Sequence, residues 1–313
     1  MKILVIGEIN PDLIFHGFHA FPELGKEVLF DDTHLTLGSA SLICAVGLAR
    51  LGNRLTFFGM VGEDPWGDFC LERMTQEGID ASRVIRSSEV KTGITVSLTG
   101  PTDRALVTHL GAIEALTEAH VPEDIFDGQA HLHMATYFMQ KGLRPGVRSL
   151  MKKAKAKGLT TSLDPGYDPS ERWEKDLIET LKYVDVFLPN EVELEGIAGS
   201  KGLEEGLRRL DNGHTLVVAK LGRNGCAALV DGRLVQAPAF AVEPVDTTGA
   251  GDSFNAGFLH AWLRKEPIEE AMRLGAACGA LSTRALGGTT AQPSLDEALE
   301  FMRSRSGEPG NES

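Results

Sequence analysis

Residues Asp246–Phe258 read DTTGAGDSFNAGF. The first seven positions hold two aspartates and two glycines, and beyond them Phe254, Phe258, Ala261 and Trp262 share one face of a predicted helix over Ser253–Lys265. The Gly-rich part therefore sits at a helix N-terminus, where the first backbone N–H groups lack partners and the helix dipole is positive. Small residues let a ligand approach that backbone closely. Together these features make an anion hole suited to a phosphoryl group in transfer. Asp252 lies in the first turn beside the hole, placed to accept the proton of an attacking hydroxyl. The dipole is expected to lower its pKa and keep it ionised, and phosphoryl transfer tolerates so weak a base. Taken alone, GAG also fits a left-handed turn followed by an aspartate that merely favours the dipole.

Working outward, strand and helix signals alternate. KILVIG is an all-apolar run ending in Gly7, SASLICAVGLARLG is helical and stops at Gly52, LTFFGMVG is a strand, and WGDFCLERMTQEG a helix. HLHMATY, TTSLD and VFLPN each precede a helical stretch, and TLVVAKLG opens a β-rich stretch with a DG hairpin signal at Asp231–Gly232. The end is helical, over Ile268–Leu286 and Ser294–Arg303. This order predicts an α/β fold, a mostly parallel sheet covered by helices on both faces, as one domain over 1–313. Two segments, about 12–36 and 90–110, carry strand-like alternation without a helix and predict a small antiparallel lid that closes over a ligand. Residues 304–313 are polar and expected to be disordered. The runs KKAKAKG and EVELE are expected as solvated helix faces.

The chain has 313 residues and a formal net charge of −13, which argues against nucleic acid or an anionic membrane as main partner. Its four cysteines are scattered and suit free thiols in a reducing cytosol. The five-residue apolar run of MKILVIGEIN is expected as a first strand rather than a leader, and no apolar run nears the about 18 residues of a membrane helix, so a cytoplasmic protein is expected.

The string DTTGAGDSFNAGF closely resembles the second signature of the PfkB/ribokinase-like carbohydrate kinases, and the order of the other motifs agrees over nearly the whole chain. The resemblance implies a ribokinase-like three-layer sandwich and an ATP-dependent, Mg²⁺-assisted kinase. It makes Asp252 the catalytic base and Gly249, Ala250 and Gly251 the anion-hole amides. GEINPDL matches the N-terminal motif, giving Asn10 and Asp12 as substrate ligands; an Asn-Pro-Asp turn is the other reading. LGSASLICAVGLARLG resembles the first signature with two departures, Gly38-Ser39 for the usual Gly-Gly and Ile43 for the usual Asn. Gly38 and Ser39 are then substrate neighbours, and Ile43 makes the pocket wall more apolar.

PNEVE matches NxxE through Asn190 and Glu193, which by resemblance position Mg²⁺ through water; an N-cap with an acidic first turn has the same spacing. AKLGRNG resembles the nucleotide strand and loop, with Lys220, Gly222 and Gly225 along the phosphates and ribose; a β-turn without ligand is the other reading. Asp164 is placed at the ATP–metal end, and Ala277, Gly279 and Ala280 border the adenine, although a tightly packed helix pair gives the same small-residue pattern. Gly111 and Ala112 face the substrate. Arg104 either reaches the transferred phosphate or guards an edge strand. Asp246 and Thr248 match a monovalent-cation (K⁺) site, or form a turn held by local amides. His109, His131 and His133 show no metal-ligand spacing.

The leading function is phosphorylation of a small sugar or sugar acid by ATP, with a homodimer through the lid as the family-level expectation. The alternatives are a nucleoside kinase, favoured by Ile43 and by Phe15, Phe18 and Phe21, and a catalytically idle sugar- or nucleotide-binding regulator. A nicotinamide dehydrogenase is disfavoured because the first strand leads into GEINPD rather than GxGxxG, and no Walker P-loop is present.

Overall fold

The computed structural model describes residues 1–17, 20–99 and 104–305, and of Arg104 the backbone alone. The chain opens with β1 (Lys2–Ile6), then β2 (Pro11–His16) and β3 (Asp32–Leu37), and enters α1 (Ala40–Arg50). Next come β4 (Arg54–Phe58), β5 (Met60–Gly62), α2 (Pro65–Gln76), β6 (Ile79–Asp80), β7 (Ile85–Ser87), β8 (Ile94–Thr99), β9 (Arg104–His109) and the short α3 (Ala112–Ala115). The alternating part follows: β10 (His131–Met134), α4 (Arg144–Ala156), β11 (Thr160–Leu163), α5 (Asp176–Leu181), β12 (Val186–Phe187), α6 (Glu191–Ala198) and α7 (Leu203–Leu210). It ends with β13 (Leu216–Lys220), β14 (Cys226–Val230), β15 (Arg233–Ala237), α8 (Ala250–Trp262), α9 (Ile268–Ser282) and α10 (Leu295–Arg305).

One nine-stranded sheet runs in the order β15-β14-β13-β12-β11-β10-β1-β4-β6. It is parallel except where β14 and β15 close it antiparallel. Their hairpin turns at Asp231 and Gly232, both with positive φ, as the DG signal predicts for a turn that must follow the strand twist. Alternate residues of β1 supply the two cores. Ile3 and Val5 join the layer of α1, α2, α8, α9 and α10, while Leu4 and Ile6 join that of α4 to α7. A strand apolar on both faces has to be covered on both, and this places helices above and below the sheet.

A second sheet has the order β3-β2-β8-β9. Its outer pairs are antiparallel and the central β2–β8 pair is parallel. This is the expected small sheet, built from the two segments that broke the alternation. Asp12 pairs with Thr36 and Thr95 in register and so shares a face with Ile14 and Ser97, whereas Phe15 lies on the other face and packs on Phe30, centroids 4.8 Å apart.

Three expectations shift. α10 runs to Arg305, two residues into the stretch expected as a tail, and residues 306–313 lie outside the described residues. Lys153, Lys155 and Lys157 are not simply a solvated face: they pair with Glu118, Asp185 and Asp127 on neighbouring segments, Lys155 at 2.6 Å from a largely buried Asp185. Within EVELE, Glu193 is buried rather than solvated. All four cysteines are free and buried. Among the described residues no helix is long and apolar enough to cross a membrane.

Candidate active site

α8 starts at Ala250, three residues earlier than its apolar face suggests, because Gly249 takes the left-handed conformation (φ 71°) and caps it. A side chain on Gly249 would come within 2.8 Å of the Gly288 Cα and 3.0 Å of Ile43 Cγ2, so glycine is required by both torsion and contact. Ser253 N–H donates to Gly249 O at 2.8 Å, and Ala250 N–H reaches back to Thr247 O at 3.3 Å. The amides of Gly251 and Asp252 fall in the first turn, where no helix carbonyl precedes them. Asp246 shapes the approach: one oxygen accepts from Thr248 N and Oγ1 at 2.9 and 2.6 Å, the other from Gly287 N at 2.9 Å.

Beside this mouth stands an unequal set of buried charges. Lys220, at the end of β13, donates to Asp164 Oδ2 at 2.6 Å and lies 3.3 Å from Asn255 Oδ1, and Asn255 Nδ2 donates to the same Asp164 oxygen at 2.6 Å. A methyl group on Gly251 would lie 3.5 Å from Lys220 Nζ. Burial pushes Asp164 up, but the Lys220 charge and these hydrogen bonds outweigh it and hold the carboxyl below its usual range. Burial disfavours the Lys220 charge, yet Asp164, Glu193 and Asp252 keep it above the usual ammonium range.

Asp252 behaves opposite to the sequence expectation. Burial first, then repulsion from Asp164, Glu8 and Glu193, raise it well above the ordinary aspartate value despite Lys220. Desolvation and three like charges outweigh half a unit of helix-dipole charge. Glu193 is likewise pushed up to about 7, by burial and then by Asp164. Three carboxyl groups, Asp164, Glu193 and Asp252, around the one Lys220 ammonium leave this end of the cleft ready for added positive charge.

Asn190 and Glu193 form a complete capping box at the start of α6. Asn190 Oδ1 accepts from Glu193 N at 2.9 Å, and Glu193 accepts from Asn190 N and Nδ2, both at 2.8 Å. The capping reading of PNEVE is therefore present in full, and Asn190 also bridges in parallel to Lys220, which brings the pair to the charged end. Among the described residues no three His, Cys, Asp or Glu side chains converge as direct metal ligands. A divalent ion that keeps its waters is the kind such a set fits.

From Lys220 the cleft widens into a cavity of about 510 Å³. The Gly222–Asn224 turn, with Gly222 and Gly225 both at positive φ, forms one wall together with Ala250 and Gly251. α9 forms another through Ala276, Gly279, Ala280 and Thr283, spaced i, i+3, i+4, i+7. Ala277, expected at the adenine, is off that stripe by one residue, or 100°, and is fully buried in the core instead.

On the other side of the α8 mouth, Asn10 and Asp12 are buried where β1 passes into β2, and Asn10 Nδ2 donates to Asp12 Oδ1 at 3.1 Å and to Thr95 Oγ1 at 3.4 Å. Gly38 closes against them: a methyl there would lie 2.0 Å from Asp12 Oδ1. Ser39 serves the fold rather than the cleft. Its hydroxyl donates to Glu8 O at 2.8 Å and caps α1 at Leu42 N, and its backbone holds φ 62°. Gly287 touches Thr36 and Ile14 while Gly288 touches Gly249 and Ile43, so one loop joins the Asp12 side to the α8 mouth. Ile43 is buried under that loop, which explains how an apolar residue stands there. Gly111 caps α3, and Ala112 is buried with its amide on Lys91 O at 2.8 Å. The side chain of Arg104 and the whole of Phe18 lie outside the described residues. Phe15 sits on the lid face away from Asp12, and Phe21 is exposed.

Two residues were missed. Glu8, buried, accepts from Ser41 N and Oγ (3.1 and 2.7 Å) and from Thr136 Oγ1 (2.6 Å), tying β1 to α1 and to the loop after β10. Asn255 is fully buried, one helical turn after Asp252. An acid closing an all-apolar strand, and an amide three residues past the base on the same helix face, were the available signals.

An anion-binding helix mouth, a carboxylate within it and a lysine-fronted cavity define a phosphotransferase. The family model described as pfkB family carbohydrate kinase matches residues 1–295, and the chain belongs to that family. It is 28% identical to the ribokinase of Haemophilus influenzae over 96% of this chain and 98% of that one. It is 32% identical to the 2-dehydro-3-deoxygluconokinase of Bacillus subtilis, covering 85% and 86%. The solved Arabidopsis thaliana ribokinase, in complex with ribose and ATP, superposes with a TM-score of 0.83 over 96% of this chain and 98% of that one at 22% identity, which shows the same fold.

Proposed function

We propose that this carbohydrate kinase moves the γ-phosphoryl group of ATP to a hydroxyl of a small sugar or sugar acid, with the chemistry at Asp252. The observation that carries this reading is the α8 mouth, whose amides and carboxylate lie between the cavity beyond Lys220 and the Asn10–Asp12–Gly38 cradle. ATP lies in the cavity with its phosphates along Gly222, Gly225 and Gly249–Gly251. The acceptor lies against Asn10, Asp12 and Gly38. Asp252 takes the acceptor proton as its oxygen bonds to the γ-phosphorus. The bond from that phosphorus to the β–γ bridging oxygen breaks, and ADP leaves. First-turn amides stabilise the charge on the moving group.

Asn190, Glu193 and Asp164 would hold Mg²⁺ through water, and the ion would supply positive charge against the phosphates and these acids. Lys220 holds Asp164 in place and faces the phosphates. In this reading the Asp246 carboxylate clasps the loop ahead of Gly249, and dependence of turnover on K⁺ over Na⁺ is the test of a cation role there. The four-stranded sheet, 12–36 and 90–110, acts as the lid of one kinase domain and excludes water from the acceptor. Exposed Leu106 and Val107 on its edge strand β9 support pairing of two lids in a homodimer. Free thiols and the need for ATP support a cytoplasmic setting.

The test is ADP release from ATP and Mg²⁺ with ribose, fructose, 2-dehydro-3-deoxygluconate and nucleosides. Turnover with a sugar or sugar acid supports the reading, and turnover with nucleosides alone overturns the acceptor class. Asp252→Asn is expected to lower kcat by ~10²–10⁴-fold with ATP binding retained. Normal turnover by that variant refutes the proton-acceptor role.

A further inference from the structure

We propose that the donor site does not read the nucleobase, so that GTP, ITP, UTP and CTP serve as phosphoryl donors beside ATP; this rests on the reading that the nucleotide occupies the 510 Å³ cavity. Nucleobases differ at their edges, where the amino donor of adenine becomes a carbonyl acceptor in guanine or hypoxanthine. A site that tells them apart opposes that edge with a fixed polar group, and then rejects the wrong partner by about 10⁴–10⁵-fold because a buried group is left unpaired. An apolar site discriminates by only about 10–200-fold.

The walls beyond the phosphate end are apolar: Phe240, Val242, Pro244, Phe254, Ala276 and Ala280. The α9 wall offers methyl groups and Cα hydrogens, since helix amides and carbonyls bond one another. Four polar side chains line the cavity among the described residues. Lys220 is held by Asp164 at 2.6 Å. Thr247 lies two residues ahead of Gly249, at the phosphate end. Arg223 is exposed on the glycine turn, where a guanidinium meets phosphate or stacks on any base. The Thr283 hydroxyl donates to Ala280 O at 2.7 Å, so toward a base it can only accept, a single neutral contact worth at most about 10-fold. The rim is exposed at Ala241 and Pro244, and Pro244 has no N–H, so water there can satisfy either edge pattern. Apart from the main chain of the segment at 239–244, what remains is shape and ring stacking, which every base provides. The chemistry is unchanged with GTP: the γ-phosphorus parts from the β–γ bridging oxygen and bonds to the acceptor oxygen, the proton goes to Asp252, and GDP leaves.

The experiment compares kcat/KM for ATP, GTP, ITP, UTP and CTP with whichever of ribose, fructose or 2-dehydro-3-deoxygluconate turns over fastest with ATP. Calorimetric binding of ADP, GDP, IDP and UDP is measured in parallel. Values for GTP and ITP within about 10-fold of ATP, and for the smaller pyrimidines within about 100-fold, are expected from an apolar site. GTP and ITP slower by 10³-fold or more, with ATP active, overturn the proposal and leave the functional reading intact. If ATP itself gives no turnover, the functional reading fails, and binding decides the proposal separately. ADP, GDP and IDP affinities within about 10-fold then sustain it, and a preference for ADP of 10³-fold or more overturns it.

Discussion

Lys220→Met tests the charge arrangement that the site depends on. The substitution keeps the length and apolar stem of a side chain that is 12% exposed and removes the ammonium 2.6 Å from Asp164, whose side chain is 5% exposed. At an effective dielectric constant of about 20, opposite charges ~4 Å apart attract by ~4 kcal/mol. Stripping one partner from a buried pair costs about 3–5 kcal/mol, because the other charge stays buried and uncompensated. In the parent protein Lys220 is held above and Asp164 below its ordinary range, so the pair is intact from about pH 5 to 9. In the variant, burial governs Asp164 and raises its pKa in the folded state above the unfolded value near 4. The folded variant then holds a proton that its unfolded chain has lost, and its stability falls as pH rises, by about 1.4 kcal/mol per pH unit while Asp164 stays protonated. A deficit of about 3–5 kcal/mol is expected at pH 8, shrinking to about 1–2 kcal/mol near pH 5.5. Urea unfolding at the two pH values, followed by circular dichroism, measures it, and Asp164→Asn added to the variant should recover at least half of the loss. A deficit below about 1 kcal/mol at pH 8, or one equal at both pH values, refutes the reasoning.

The remaining expectations concern the other acids and the cavity. Asp252 must lose its proton to act, so the acid limb of kcat/KM should fall above the ordinary aspartate value of about 4, and a limb at or below it counts against the buried, acid-flanked setting. Glu193, pushed up to about 7, costs the nucleotide-free protein about 3 kcal/mol once ionised. Its folded form keeps the proton longer than the unfolded chain, so that stability is lost as pH rises from about 4.5 to 7. Glu193→Gln, which can still cap α6, should be about 2–3 kcal/mol more stable than the parent at pH 8 and no more stable at pH 4.5 by urea midpoints. An unchanged pH dependence would place the burden elsewhere. Ala280→Leu fills the α9 side of the cavity and should raise the donor KM at least about 10-fold while the acceptor KM stays within about twofold. Steady-state kinetics with each substrate varied in turn decides this.

The large sheet was legible because apolar runs such as residues 3–6 and 216–219 have one good solution, burial on both faces between helices. The lid was legible as an interruption of that rhythm. Its central parallel pair was not, because nothing local to β2 or to β8 sets the pairing direction of strands so far apart in the chain. Within the site, residues fixed by backbone demands could be read: Gly249, Gly38 and the glycines of the Gly222–Gly225 turn. Side chains whose role depends on a distant partner could not. Ser39 turned inward to Glu8, Ala277 missed the cavity by one residue of helical phase, and Glu193 was buried by its own capping box. The direction of the Asp252 shift was misjudged because three other acids, spread from residue 8 to residue 193, meet only in the folded chain.

The small sheet is joined to the body by four separate passages of chain, at residues 10–11, 37–38, 93–94 and 109–111. A sheet stitched along one side in this way has a fixed axis, the only one about which it could tilt as a unit. Asn10, Asp12 and Gly38 sit on the seam itself, where a tilt displaces atoms least, while the far ends of its strands, around residues 16, 32 and 99, travel furthest. On the proposed reading of this sheet as a lid, admission of a sugar would be separated from the spacing of the groups that hold it, and the grip on the acceptor would stay assembled with the gate open.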